Sequence, residues 1–195
     1  MTRAALLLCF CLPSAAQAPA RAAEAAKASS DQKLTGFAGH YGYLLGVPSD
    51  INPMPDFDGP VEVVQFVPAA CKGATKEACV RRGMFVLLVM PKNMLFKSSQ
   101  VSSVQEYAAG VVRSAKQSGE APGKLAAVTV GKLQGWRFRK GFPKKGPFDT
   151  TTYIDGRLVS YSFAYQHDNK RMDSIMESLI EVRPTDVPPK TEAGQ

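Results

Sequence analysis

Apolar positions in this chain come in short blocks punctuated by proline and glycine, a spacing that suits strands more than long helices. Residues 41–47 form one such block, closed by Pro48. Residues 51–60 carry three prolines and read as a loop. In 61–67, Val61, Val63, Gln65 and Val67 fall on one face of a strand. Residues 84–90 are apolar without a break, as in a central strand, and end at Pro91. Residues 128–141 read as one long strand kinked at Gly131 or Gly135, or as two strands. In their last part Trp136 and Phe138 point one way while Arg137 and Arg139 point to an open face. Residues 150–154 and 158–165 flank Asp155-Gly156, a type I′ hairpin signal because glycine accepts positive φ. On the second arm Val159, Tyr161, Phe163 and Tyr165 share a face. Ser160, Ser162 and Ala164 occupy the other, where a helix can pack closely.

Two stretches switch to helical periodicity. Ser103 and Glu106 have capping-box spacing, and Val104, Ala108, Val111, Val112 and Ala115 then form one stripe that Gly119 and Pro122 stop. Near the end Met172, Ile175, Met176, Leu179 and Ile180 make a continuous apolar stripe. Asp168 or Asn169 is expected to cap its start, and Pro184 forbids its continuation. Strands, a helix, further antiparallel strands and a closing helix predict an α+β domain whose sheet is covered by two main helices.

The ends have a different character. Arg3, the apolar run 4–12, Pro13 and then small residues follow the order of a secretory signal, with residues 1–20 removed. The run falls well short of the ~20 residues needed to span a bilayer, and no later segment reaches that length. Residues 21–33 read as a flexible leader, 34–183 as a single domain and 184–195 as a disordered tail. Export fits the remaining cysteines, Cys71 and Cys79. They are expected to form a structural disulfide worth roughly 2–3 kcal/mol in the chain-entropy model. Their spacing is not Cys-x-x-Cys, and neither His40 nor His167 stands at ligand spacing from them, so redox and zinc roles are not expected. No cofactor is expected. Asp56-Phe57-Asp58-Gly59 echoes part of a calcium loop but lacks the other ligands, and reads as a turn.

Charge is distributed one-sidedly within a net of +7. From 34 to 71 there is no Lys or Arg, whereas Asp50, Asp56, Asp58 and Glu62 are present. From 124 to 145 there is no acid. Lys132, Arg137, Arg139, Lys140, Lys144 and Lys145 there form a candidate basic β-ribbon, with Lys124 just ahead of it. Such a surface attracts anions over about 8–10 Å. An acidic envelope protein or anionic surface is the expected partner; a solvated charged edge that prevents aggregation is the plainer alternative. Nucleic acid is not expected, because aromatics are not interleaved with the cations on one face.

The opening 41–48 (Tyr-Gly-Tyr-Leu-Leu-Gly-Val-Pro), the helix after Met90-Pro91-Lys92, the hairpin 154–163 and the closing helix resemble the PsbP-like fold family. That family includes exported PsbP and DcrB-like proteins. The resemblance covers most of 40–182 and rests on element order. It implies an α/β/α sandwich around an antiparallel sheet and a binding or assembly role instead of catalysis. It brings no catalytic residues with it, and the Cys71–Cys79 loop lies outside its pattern. The expected function is therefore an exported, non-enzymatic binding protein, periplasmic or secreted. Two alternatives stay open. One is a carrier of a small apolar ligand, with a pocket between sheet and helix lined by Tyr161, Phe163, Tyr165 and Met172. The other is a hydrolase in which a pocket joins His40 or His167 to a serine or carboxylate.

Overall fold

The computed structural model describes residues 34–141 and 146–182. The proposed signal, leader and tail lie outside them, as do Lys144 and Lys145. The described residues form ten strands and four α-helices. Seven strands make one antiparallel sheet in the order β3 (Ile51–Asp58), β4 (Val61–Pro68), β5 (Phe85–Pro91), β9 (Val159–Tyr165), β8 (Thr150–Asp155), β7 (Leu133–Arg139), β6 (Ala126–Val130). A smaller antiparallel sheet has the order β1 (Leu34–Gly39), β2 (Tyr43–Pro48), β10 (Ile180–Glu181). The helices are α1 (Lys76–Arg81), α2 (Lys92–Ser99), α3 (Val104–Gln117) and α4 (Met172–Glu177). The chain is an α+β protein with its helices packed on the sheet, as the periodicity predicts.

Strand alternation sets the layers. Tyr153 and Ile154 are neighbours on β8 and face opposite ways. Ile154 joins the main core with Phe66, Leu87, Tyr161, Phe163 and Met172, under the small sheet and α4. Tyr153 joins Trp136, Phe138, Val104, Ala108 and Val112 under α2 and α3. Ser103 caps α3 by accepting the Glu106 N–H at 3.1 Å. The Glu106 carboxylate reaches one residue further back than a capping box requires, to the N–H and hydroxyl of Ser102. These bonds hold the Glu106 carboxyl below its usual range.

Three expectations need correction, and one open alternative is decided. Residues 51–58 are a strand, not a loop. The two-residue turn Gly59-Pro60 pairs Asp58 with Val61, so alternation directs Asn52, Met54, Asp56 and Asp58 toward β4. Pro53 and Pro55 then fall on the outer side of an edge strand, where the missing N–H costs no ladder bond. Residues 128–141 contain two strands, joined at Gly131-Lys132. Gly131 has φ +57°, and Lys132 is not among the positive-φ residues, as in a type II′ turn.

The hairpin after Asp155 is not type I′. Gly156 has no positive φ, and its N–H donates to the Val159 carbonyl at 3.1 Å. Glycine is needed there for space, since a Cβ would lie 2.3 Å from Glu181 Oε1 and 2.6 Å from the Tyr161 ring. The closing helix ends at Glu177. Leu179 stays in the core, but Ile180 leaves the helix and pairs with Leu44 of β2.

Candidate functional site

The hairpin β6–β7 carries the residues singled out by charge, but the fold divides them. Trp136 and Phe138 face α3. On the opposite face both Arg137 and Arg139 have partners. Arg137 reaches across to α4, with Nη2 2.6 Å from Asp173 Oδ1 and Nε donating to Thr152 Oγ1 at 3.1 Å. Its guanidinium lies 6.0 Å from the centre of the Tyr165 ring. Arg139 sits 3.7 Å from Asp149 Oδ2 and 2.8 Å from His167 Nδ1. Both arginines therefore brace strand against helix and loop: the expected open arginine face is partnered, with Arg137 half-buried and Arg139 still exposed. Lys124 and Lys132 remain exposed at the two ends of β6, and Lys140 is half-buried beyond β7. Among the described residues none of these three lysines has an ion-pair partner.

His167 is not solitary. Asp149 accepts from its backbone N–H at 2.7 Å, faces its Nδ1 at 2.9 Å and accepts the Thr150 hydroxyl at 3.0 Å. Burial alone would raise the Asp149 carboxyl, but the ring, backbone and hydroxyl bonds outweigh it and hold the group below its usual range. A histidine–carboxylate pair is one part of a hydrolytic site; a nucleophile is the other. Among the described residues no hydroxyl or thiol hydrogen-bonds either histidine ring. His40 packs edge-on against the rings of Tyr41 and Phe57. Among the described residues no group of three or more His, Cys, Asp or Glu is placed to hold a metal ion, and no helix is long and apolar enough to cross a membrane.

Tyr161, Phe163, Tyr165 and Met172 do not line an opening. All four are buried in the main core and fill the space between the large sheet and α4. Surface clefts lie elsewhere. One of about 630 Å³ is lined by Glu77, Arg81, Gly146, Pro147, Gln166 and Asp168. Another of about 520 Å³ is bounded by Lys132, Leu133, Arg157, Glu177, Ile180 and Glu181.

The same core hides an acid that the strand pattern does not reveal. Glu62 is 2 % exposed on the face of β4 that also carries Val64 and Phe66. One oxygen accepts the His40 N–H at 3.1 Å. Burial, then the neighbouring Glu62 carboxylate, pushes the Tyr43 phenol well above its usual range. Tyr161 is raised likewise, by burial and by Glu181, to which its hydroxyl donates at 3.0 Å.

Cys71 and Cys79 lie in one buried cluster with Val80, Met84 and Phe148. They are free thiols here, so the expected bridge is not formed; Cys79 Sγ is 3.8 Å from the Cys71 carbonyl oxygen. Burial and the adjacent Cys79 push the Cys71 thiol up to about 11, so it is protonated and a poor nucleophile at neutral pH. Oxidation of the pair is expected to raise the thermal midpoint, by roughly 2–3 kcal/mol of stability in the chain-entropy model. Melting curves with and without reductant check this; identical midpoints for thiol-titrated and oxidised protein would contradict it.

No protein-family model matches the sequence, and no curated protein matches it. A crystal structure from Bacteroides thetaiotaomicron aligns over 80% of this chain at 13% identity, with a TM-score of 0.48. The alignment takes in 52% of that protein, so the chain spans about half its length.

Proposed function

We propose that this chain is an exported, non-enzymatic binding or assembly protein of the cell envelope, working in the periplasm, that contacts an anionic protein through its β6–β7 hairpin. The observation that carries this reading is the placement of Lys124 and Lys132 at the two ends of the terminal strand of the large sheet, with Lys140 on the adjoining segment. No acid occurs between residues 124 and 145, and Glu177 and Glu181, which share a cleft with Lys132, form no ion pair with it. The signal-like pattern of residues 1–20 supports export, and the resemblance to the PsbP-like family supports binding over catalysis. The buried state of the Tyr161–Met172 group weighs against the carrier alternative.

The test uses the three lysines and leaves Arg137 and Arg139 alone, because reversing those two would break the braces to α4 and Asp149. Poly-L-glutamate serves as an acidic probe in a fluorescence-anisotropy titration. Lys124→Glu, Lys132→Glu and Lys140→Glu together are expected to weaken binding by about tenfold or more, and raised salt to weaken the unmodified protein similarly. Equal, salt-insensitive binding by both proteins would remove the hairpin from the account.

A further inference from the structure

We infer that the free edge of β6 is a strand-docking site that accepts an extended acidic segment of a partner protein. This rests on the hairpin reading above and adds a mode of contact to it.

The large sheet has two edges, and they are built differently. At the β3 edge, alternation from the Asp58–Val61 closing pair turns Ile51, Pro53, Pro55 and Phe57 outward. Proline stands at two of these positions and offers no N–H, while Asp56 and Asp58 add negative charge along the strand. Such an edge refuses another strand, particularly an acidic one. At the β6 edge, Ala126–Val130 contains neither proline nor charge. Val130 pairs with Leu133 across the two-residue turn, so alternation turns the N–H and C=O of Ala127 and Thr129 outward. Both residues are exposed, and among the described residues no backbone group outside the sheet bonds to them. The small side chains of Ala126 and Ala127 leave room for a neighbouring backbone.

Charge selects the occupant. For a second copy of this chain, the antiparallel register that uses all the outward groups sets Ala127 opposite Thr129 of the other copy and centres the pairing on Val128. That register places Lys124 opposite Lys132 twice, and like charges directly across a strand pair are destabilising. An acidic strand pairs both lysines instead. Its acids would share the face of Lys124, and alternating apolar residues would then fall on the other face and extend the margin that Leu125 forms there. Main-chain bonds then supply affinity and the flanking lysines supply selection.

The experiment is an amide-resolved NMR titration of the labelled protein with a ten-residue peptide of alternating Glu and Val, monitored with hydrogen exchange. Binding is expected to shift residues 126–130 and to slow exchange at Ala127 and Thr129. Ala127→Pro with Thr129→Pro removes only outward N–H groups and is expected to weaken the peptide about tenfold, whereas Thr129→Val keeps the N–H and binds normally. Should the proline pair disturb β7 or β8 amides, N-methylation of the peptide's alternate residues on the unmodified protein gives the same reading without touching the fold, and is expected to weaken binding similarly. Loss of binding on lysine reversal but not on N-methylation overturns strand docking and leaves the cationic hairpin standing. Indifference to both overturns the two together. Equal binding of a Lys–Val peptide overturns the acidic occupant. Concentration-dependent protection of Ala127 and Thr129 without peptide would assign the edge to a second copy and overturn the proposal.

Discussion

Phe163→Ala is expected to lower the stability of the domain by about 3–5 kcal/mol, the usual cost of emptying a large aromatic site in a core. Phe163 is fully buried on β9, packed 6.4 Å from Phe85 between ring centres, and Phe85 in turn stacks on Phe66 at 4.4 Å. Removing the ring takes away dispersion contacts on both sides of β9 and leaves a cavity that the paired strands β5 and β8 cannot close. Urea unfolding checks the magnitude. It also separates two accounts of this region: a core residue costs stability, whereas a pocket residue changes ligand uptake with little cost. A variant as stable as the parent would revive the pocket formed by Tyr161, Phe163, Tyr165 and Met172.

Asp149→Ala is expected to cost about 1–3 kcal/mol, because the N–H of His167, its ring and the Thr150 hydroxyl lose their common acceptor in a nearly buried site. The loss also carries a pH signature. The Asp149 carboxyl lies lower in the folded protein than in the unfolded chain, where about 3.9 is usual. Its contribution is therefore fully present above about pH 4 and disappears as pH falls through the folded value. Stability of the unmodified protein is expected to decline with acid in that range, and the variant to lack this component. Parallel curves for the two proteins between pH 7 and pH 3 would show that Asp149 carries no such role.

Much of the architecture was legible because its signals are local. Ser103 with Glu106 marks the start of α3, the Tyr161–Phe163–Tyr165 alternation marks a core strand, and Met90-Pro91 ends β5 in sequence and structure alike. The failures are long-range. Pro53 and Pro55 look like strand breakers until β4 is seen to lie on only one side of them. Ile180 continues a helical stripe on paper, yet pairing with Leu44 of β2 draws it out of the helix. Glu62 enters the sequence reading only as one acid of the stretch 34–71, and its burial depends on the small sheet that lays Tyr43 over it. The candidate site shows the same division. The run of cations without acids was visible, but their separation was not. Asp173 and His167 lie far from Arg137 and Arg139 in sequence, and only the packing of α4 and the β9–α4 loop brings them together, while the β7–β8 pairing sets Asp149 beside Arg139. Among the described residues, a pair of lysines without ion-pair partners flanks an uncharged edge, while the exposed Arg139 is held by Asp149 and His167.

The most direct test of the central claim is site-specific photocrosslinking in the intact envelope of the host. A photoreactive residue replaces Lys132 in one strain, Thr129 in a second and Lys116, exposed on α3, in a third. A salt-sensitive adduct with one acidic protein from positions 129 and 132, absent from 116, is the predicted result. Adducts from 116 with none from 129 and 132 would contradict it.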